Sequence, residues 1–305
     1  MKPVFLLFVL AAASYAQDRE QGLPAPSASL MNANVIQHNL PVTRSDLYCA
    51  GFLGKQLPRD RFVAGGLDTP YTARFVDHDF VFLRGNNFQP GTRVSFVRDM
   101  RDTNALHPFP GTASLLGHSG HLYSELGYGV ILENRGTDIA VARIEFSCDN
   151  VVAGDLVVPF VEKQPITVRP TSTLDRFPAH PSALSGRIVA AGDFDQNFGV
   201  GHKIYLNVGA DRGVKPGDYF RLVRSYARSQ YDEADAGVFD STIMEDTQRD
   251  PLRVPYSKLR ELPSRVVGEA IVLSTQPGTA TAMITFALQE VHVGDYAELE
   301  EAEPH

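Results

Sequence analysis

Two stretches of this 305-residue chain space polar side chains in ways that suit a metal ion. Asp193, Asp195 and Asn197 stand at alternate positions, as at the start of a calcium loop. An EF-hand continues with Gly at its sixth position and Glu at its twelfth, and here those places hold Phe198 and Ile204. The segment therefore reads either as a calcium site of another geometry or as a polar hairpin eased by Gly199 and Gly201. His118 and His121, with Glu125 close by, offer two nitrogens and an oxygen to zinc. Their spacing is not that of His-Glu-x-x-His, and exposed loop histidines are the plainer reading. Ser119 lies between those histidines in a pattern that misses the nucleophile elbow, because His121 stands where the second Gly belongs.

Other residues recur in pairs. Asp155 follows Gly154, and Asp295 follows Gly294. Two carboxylates can hydrolyse a glycoside, but an Asp after Gly more often shapes its own turn through backbone hydrogen bonds. Arg98 and Arg224 each close an apolar stretch and read as an anion-binding pair or as anchors for the loops that follow. There is no Walker A sequence and no full Gly-x-Gly-x-x-Gly, so no nucleotide cofactor is expected; calcium and zinc are the only ions these residues suggest. The chain has no tryptophan, the commonest platform for sugar stacking, although its 11 tyrosines and 18 phenylalanines keep a glycan partner open.

Cys49 and Cys148 are the only cysteines. A structural zinc site wants four ligands at short spacings, and a redox pair usually reads Cys-x-x-Cys. A disulfide or two buried thiols remain. The N-terminus favours the disulfide: Lys2 precedes an apolar run from Val4 to Ala13, and Ser14-Tyr15-Ala16 forms a small-x-small site. That is the pattern of a secretory signal peptide over residues 1–16, which implies an oxidising destination. No later stretch reaches the length of a membrane-spanning helix, so none is expected. The formal charge of −8 argues against a nucleic-acid partner.

The elements that must position these residues come in two copies. The seventeen residues from Ile139 to Asp155 align without a gap on Thr279 to Asp295, with seven identities that include Ala140/Ala280, Ile144/Ile284 and Gly154/Gly294. Upstream, Gly127 to Leu132 matches Gly268 to Leu273, Arg93 to Arg98 matches Tyr219 to Arg224, and Val81 to Leu83 matches Ile204 to Leu206, all in the same order. Alternation in the matched strands puts Ala140, Ala142, Ile144 and Phe146 on one face and Val141, Arg143 and Glu145 on the other. The chain's 25 glycines and 20 prolines fall largely in turns between short strands.

The expected fold is all-β: two tandem, related small β-barrel or sandwich modules behind a signal peptide and polar tether. The boundaries are 17–44 for the tether, 45–160 for module 1, 161–185 for a Pro-rich linker, 186–300 for module 2 and 301–305 for an acidic tail. Each module carries an irregular excursion, over 99–124 in the first and 226–264 in the second. Both cysteines fall in the first copy, so a bridge is expected to belong to module 1 alone.

The second copy runs Lys203 to Gly209, Gly213 to Asp218, Val267 to Leu273, Ala280 to Ala282 and Val293 to Asp295. This order resembles the small C-terminal β domain of the flagellar assembly protein FlgT and is similar to β domains attached to LysM-type envelope proteins. The first copy shares the resemblance through the duplication. It implies secretion, a non-enzymatic role and assembly at the cell envelope, and brings no catalytic residues. The chain departs from FlgT in duplicating the β unit, and it carries no LysM module from which peptidoglycan binding would be inherited. The resulting expectation is an exported, non-catalytic protein, periplasmic or outer-membrane-associated in a Gram-negative bacterium. It would bind an envelope protein partner or self-assemble through its loops. A glycan or peptidoglycan module and a metal-assisted hydrolase are the alternatives.

Overall fold

A computed structural model of the chain describes residues 41–67, 74–103, 112–136, 138–169, 176–177, 182–225, 258 and 262–300. The signal peptide, most of the tether, nearly all of the second excursion and the acidic tail lie outside the described residues. Residues 38–305 belong to one compact unit.

The first half begins with α1 (Arg44–Tyr48) and the strands β1 (Phe52–Gly54), β2 (Phe62–Gly66), β3 (Phe80–Arg84) and β4 (Arg93–Asp99). It continues with α2 (Thr112–Ser119), β5 (His121–Asn134), β6 (Ile139–Ser147) and β7 (Leu156–Pro159). The second half has β8 (Ser185–Ala191), β9 (Asn197–Phe198), β10 (Lys203–Leu206), β11 (Tyr219–Arg224), β12 (Arg265–Thr275), β13 (Ala280–Ala287), β14 (Val291–His292) and β15 (Tyr296–Leu299).

Both modules are closed six-stranded antiparallel barrels. Barrel 1 runs β5-β4-β7-β2-β3-β6 and closes through β6 onto β5, while β1 adds to the free length of β5. Barrel 2 runs β12-β11-β15-β8-β10-β13 and closes through β13 onto β12. Strand for strand the two orders are the same. The registers agree as well: Phe82 faces Val141 in barrel 1, and Tyr205 faces Thr281 in barrel 2. Both β5 and β12 skip one residue at the same place, Leu132 and Leu273. Closure removes the exposed sheet edges that an open six-stranded sheet would carry.

The sequence identities mark the barrel interiors. Val63, Val81, Leu83, Phe96, Ala140, Ala142 and Ile144 fill barrel 1, and Ile188, Ile204, Leu206, Leu222, Ala280, Ala282 and Ile284 fill barrel 2 from the same positions. Paired alanines leave room for larger neighbours in a narrow barrel. Gly127 and Gly268 are needed where strands approach closely: a Cβ at Gly127 would lie 2.1 Å from the Phe146 carbonyl oxygen, and one at Gly268 2.5 Å from that of Phe286.

One strand pair exposes a difference. In β6 burial alternates, with Ile139 and Arg143 exposed and Ala140, Ala142 and Ile144 buried, whereas β13 is buried from Ala280 to Phe286 on both faces. The cause is residues 42–54. Leu47 and Ala50 pack on Tyr219, Ile271, Leu273 and Met283 of barrel 2. Leu53 and Leu122 pack on Val189, Ala190, Phe194 and Tyr205. Helix α1 starts at a capping box in which Thr43 and Asp46 exchange hydrogen bonds. Because α1 and β1 lie between the barrels, they are shared packing of both.

The first excursion differs from the irregular loop expected. Helix α2 occupies its second half, and β5 already begins at His121, lengthened by its pairing with β1. The beginning of the Pro-rich linker is extended but bound: Ile166 and Val168 pack against the cluster under α1. No helix among the described residues is long and apolar enough to cross a membrane.

Candidate functional site

The candidate metal residues do not converge. His118 lies on α2, with Nδ1 2.6 Å from the carbonyl oxygen of Ser114 one turn earlier. His121 sits at the start of β5, its Nδ1 3.7 Å from Asp99. Glu125 is held elsewhere, as described below. Asp193, Asp195 and Asn197 all point to solvent, because Phe194 and Phe198 take the buried positions between and after them. Asp193 adopts a left-handed backbone, φ 56°, in the 3-10 turn Gly192–Phe194, and Asp195 stands 3.9 Å from His202. Among the described residues no three His, Cys, Asp or Glu side chains group as a metal site. Ser119 donates its hydroxyl to the Leu115 carbonyl within α2.

The paired Arg and Asp residues, by contrast, meet each other. Arg98 grips Asp155 with two parallel hydrogen bonds of 2.8 Å, and its Nη2 also donates to the Asn150 carbonyl. Arg224 grips Asp295 at 2.8 and 2.7 Å and donates to the Glu290 carbonyl. Each Asp also accepts from the backbone N–H three residues before it, Val152 or His292. The carboxylate thus closes its own turn and ties that turn to the end of β4 or β11. Such bidentate, charge-assisted pairs are among the stronger polar contacts available. The Asp155 bonds raise the Arg98 pKa against the opposing effect of burial, with Asp149 adding to them. These four residues therefore tie the turn before β7 or β15 to the end of β4 or β11, and the two aspartates belong to separate barrels.

The Cys49–Cys148 disulfide forms, with an S–S distance of 2.07 Å. It does not belong to module 1 alone, however. Cys49 caps α1, which precedes barrel 1 and packs on barrel 2. The bridge consequently staples the shared segment to the end of β6, and through that segment links the two barrels.

Around the staple lies a buried polar network. Tyr205 donates its buried hydroxyl to the Ala50 carbonyl at 2.9 Å, Thr281 donates to Gly51 at 3.0 Å, and Thr279 donates to Leu53. Three hydroxyls on the outer face of barrel 2 thus satisfy three carbonyls of one passing strand. Burial raises the Tyr205 pKa, helped by the charges of Glu125 and Asp193, so the phenol remains a donor. Gly51 is required there: its φ is +69°, and a Cβ would fall 2.6 Å from the Tyr123 carbonyl oxygen and 2.7 Å from the Tyr205 hydroxyl. At one end, Lys203 bonds Asp46 at 2.7 Å. Burial pushes the Asp46 carboxyl up, but the bonds from Lys203 and Thr43 outweigh it and hold it below the usual range.

The linker supplies two cations that sequence reasoning missed. Lys163 Nζ reaches both carboxylate oxygens of Glu125 at 2.6 Å and the Leu47 carbonyl at 2.8 Å. Arg169 pairs with Glu269 and Glu300 and lies 4.0 Å over the Tyr219 ring. Lys163 therefore binds barrel 1 and Arg169 barrel 2. Burial drives the Glu125 pKa up, and Lys163 together with the Gly51 N–H opposes it. The sequence signal is two cations within a mixed polar and Pro-containing stretch.

A groove of about 630 Å³ opens on the outer face of barrel 1, lined by Leu67, Phe80, Phe82, Leu132, Glu133, Arg135 and Val141. A smaller hollow of about 270 Å³ includes Arg59, Arg98 and Arg101, but Asp99 and Asp155 share it and pair with Arg59 and Arg98. No protein-family model matches the chain, and no curated protein matches it significantly.

Proposed function

We propose that the protein is an exported, non-catalytic component of a Gram-negative cell envelope, periplasmic or outer-membrane-associated, that serves as a double-barrel assembly scaffold. The observation that carries this reading is the use of its polar residues. The cysteines, the buried Glu125–Lys163 pair, Arg169 and the hydroxyls of Tyr205, Thr279 and Thr281 are all spent on joining the barrels. A chain built in this way holds two surfaces at a set spacing, which suits assembly. A disulfide spanning 99 residues suits an oxidising compartment, in keeping with the signal-peptide pattern of residues 1–16. Resemblance to the FlgT β domain adds an envelope setting. Affinity capture from a cross-linked envelope fraction tests the proposal. Recovery of the processed chain with a reproducible protein partner, itself included, supports it; recovery of unprocessed chain in the cytoplasm overturns it.

A further inference from the structure

The duplication allows the two barrels to be compared face by face. On barrel 2 the outer face of β10 and β13 receives the segment 42–54 through two kinds of contact. At one end the cross-strand pair Lys203 and Met283 takes adjacent residues of α1: Lys203 bonds Asp46 at 2.7 Å, and Met283 packs with Leu47. At the other end Tyr205, Thr279 and Thr281 donate to the carbonyls of Ala50, Leu53 and Gly51. By alignment and strand register the counterparts on barrel 1 are Phe80 and Arg143 for the pair, and Phe82, Ile139 and Val141 for the three donors. This second face is open. Leu132 is 40% exposed where its counterpart Leu273 is 3% exposed, and Leu67 lines the same groove of about 630 Å³.

Two differences between the faces select the kind of segment that fits. First, the cation has crossed the pair: Lys203 faces Met283 on barrel 2, whereas Phe80 faces Arg143 on barrel 1. Each face therefore sets one positive charge beside apolar side chains. The rim ions of barrel 1 are matched within the chain, Arg84 by Asp138 and Arg135 by Glu133. Arg143 is exposed and, among the described residues, has no carboxylate within ion-pair distance. A partner's carboxylate can take it without breaking an existing pair. Second, the three donors are replaced by apolar groups of nearly the same shape. An extended strand with bare carbonyls, like residues 50–53, would find no donor there, and burying a carbonyl unpaired is costly. A helix bonds its own carbonyls and presents only side chains, so it loses nothing on such a face.

We infer that this face of barrel 1 docks an amphipathic helix of another protein, whose apolar side chains fill the groove and whose carboxylate pairs with Arg143. Barrel 2 shows the same chemistry within the chain, where Asp46 and Leu47 of α1 meet a cation and an apolar neighbour at the equivalent place. Apolar anchors at helical spacing are the usual way in which a helix is held in a groove. The inference deepens the scaffold reading and rests on it, since it gives the chemistry of the protein partner.

The test uses a displayed library of randomised helical peptides, selected on the oxidised full chain, with affinities then read by fluorescence anisotropy of the synthetic peptides. Selected sequences are expected to carry apolar residues at helical spacing and an Asp or Glu beside them. Leu132→Asp should weaken binding by about 10-fold or more, and so should Arg143→Glu. Both residues are exposed, so circular dichroism and the disulfide should be unchanged. Exchanging the selected acid for Lys should weaken binding to the wild type and restore it to Arg143→Glu, a reversal that general apolar adhesion would not produce. A selection that yields no binder, binders without an acid, or binders that neither folded variant weakens overturns the inference. So does a face that instead dimerises the chain in sedimentation, or binds phospholipid vesicles, with the effect lost in Leu132→Asp. The two readings fail separately. A chain that captures an envelope protein yet selects no such helix leaves the scaffold standing without this contact, whereas a chain that docks the helix but is found unprocessed in the cytoplasm keeps the contact and removes the scaffold.

Discussion

Replacing Tyr205 by Phe and both Thr279 and Thr281 by Val should loosen the two barrels from each other without opening a cavity. Each change removes one buried hydroxyl and nearly keeps the side-chain volume, so packing losses of the large-to-small kind do not enter. A buried hydrogen bond contributes about 1 kcal/mol net, and a carbonyl left unpaired costs about 1–3 kcal/mol. The three acceptors, on Ala50, Gly51 and Leu53, lie within four consecutive residues leading into β1. The combined loss should therefore be about 3–9 kcal/mol, a large part of a typical domain stability of about 5–15 kcal/mol. Because the disulfide ties that strand to barrel 1, the strand should stay with barrel 1 while barrel 2 unfolds earlier. Urea unfolding followed by tyrosine fluorescence and circular dichroism reads both effects. The triple variant should show a lower first midpoint and two transitions where the wild type shows one. A combined loss below about 0.5 kcal/mol, with one transition retained, would refute the argument, because it would mean that the carbonyls find water and the contact is not buried in solution.

Three further predictions follow from the same geometry. Replacing both cysteines by serine removes a loop closure of 99 residues, worth about 4–5 kcal/mol in the chain-entropy model, and thermal unfolding should fall accordingly. Arg224→Ala should destabilise more than Arg98→Ala, since the Arg224–Asp295 side chains are 8% and 6% exposed and the Arg98–Asp155 side chains 31% and 4%; about 3–5 kcal/mol is expected for the buried pair, measured by urea midpoints. Lys163→Met removes the cation that opposes burial at Glu125, so the folded-state pKa of that carboxyl rises further above its unfolded value. The folded variant then holds a proton that the unfolded chain releases. Its stability relative to wild type should be greatest below the ordinary Glu pKa and should fall as pH rises through the raised folded value; unfolding midpoints across that range provide the check.

Particular residues show why some of this was legible and some was not. The duplication could be read because interior positions tolerate few changes: Ala140/Ala280 and Ile144/Ile284 are fixed by a narrow barrel, so they stayed recognisable in both copies. Period-two alternation then gave the strand faces of β6 from Ala140 to Ile144, but a bulge at Glu145 takes Phe146 out of the barrel 1 interior and onto Tyr128. Alternation did not give the burial of β13, because the cover on Thr281 and Met283 comes from residues some 230 positions earlier, and nothing local to β13 records that contact. Arg98 and Asp155 were each noticed, but their meeting depends on the strand order that brings β4 beside β7. Helix α2 contains Gly117 and two serines, which blur a helical pattern. Lys163 and Arg169 look like ordinary linker charges until the barrels on either side are in place. The calcium-like spacing of Asp193, Asp195 and Asn197 falls on a 3-10 turn and the start of β9, where burial of Phe194 and Phe198 leaves the oxygen side chains exposed.

The central claim is an exported double barrel stapled by a disulfide, and the intact mass of the chain recovered from an envelope fraction tests it most directly. The account predicts a protein that begins at Gln17 and is lighter by two hydrogens than its reduced form, with no thiol available to labelling after denaturation. A chain that retains Met1 to Ala16 and carries two free thiols would contradict it.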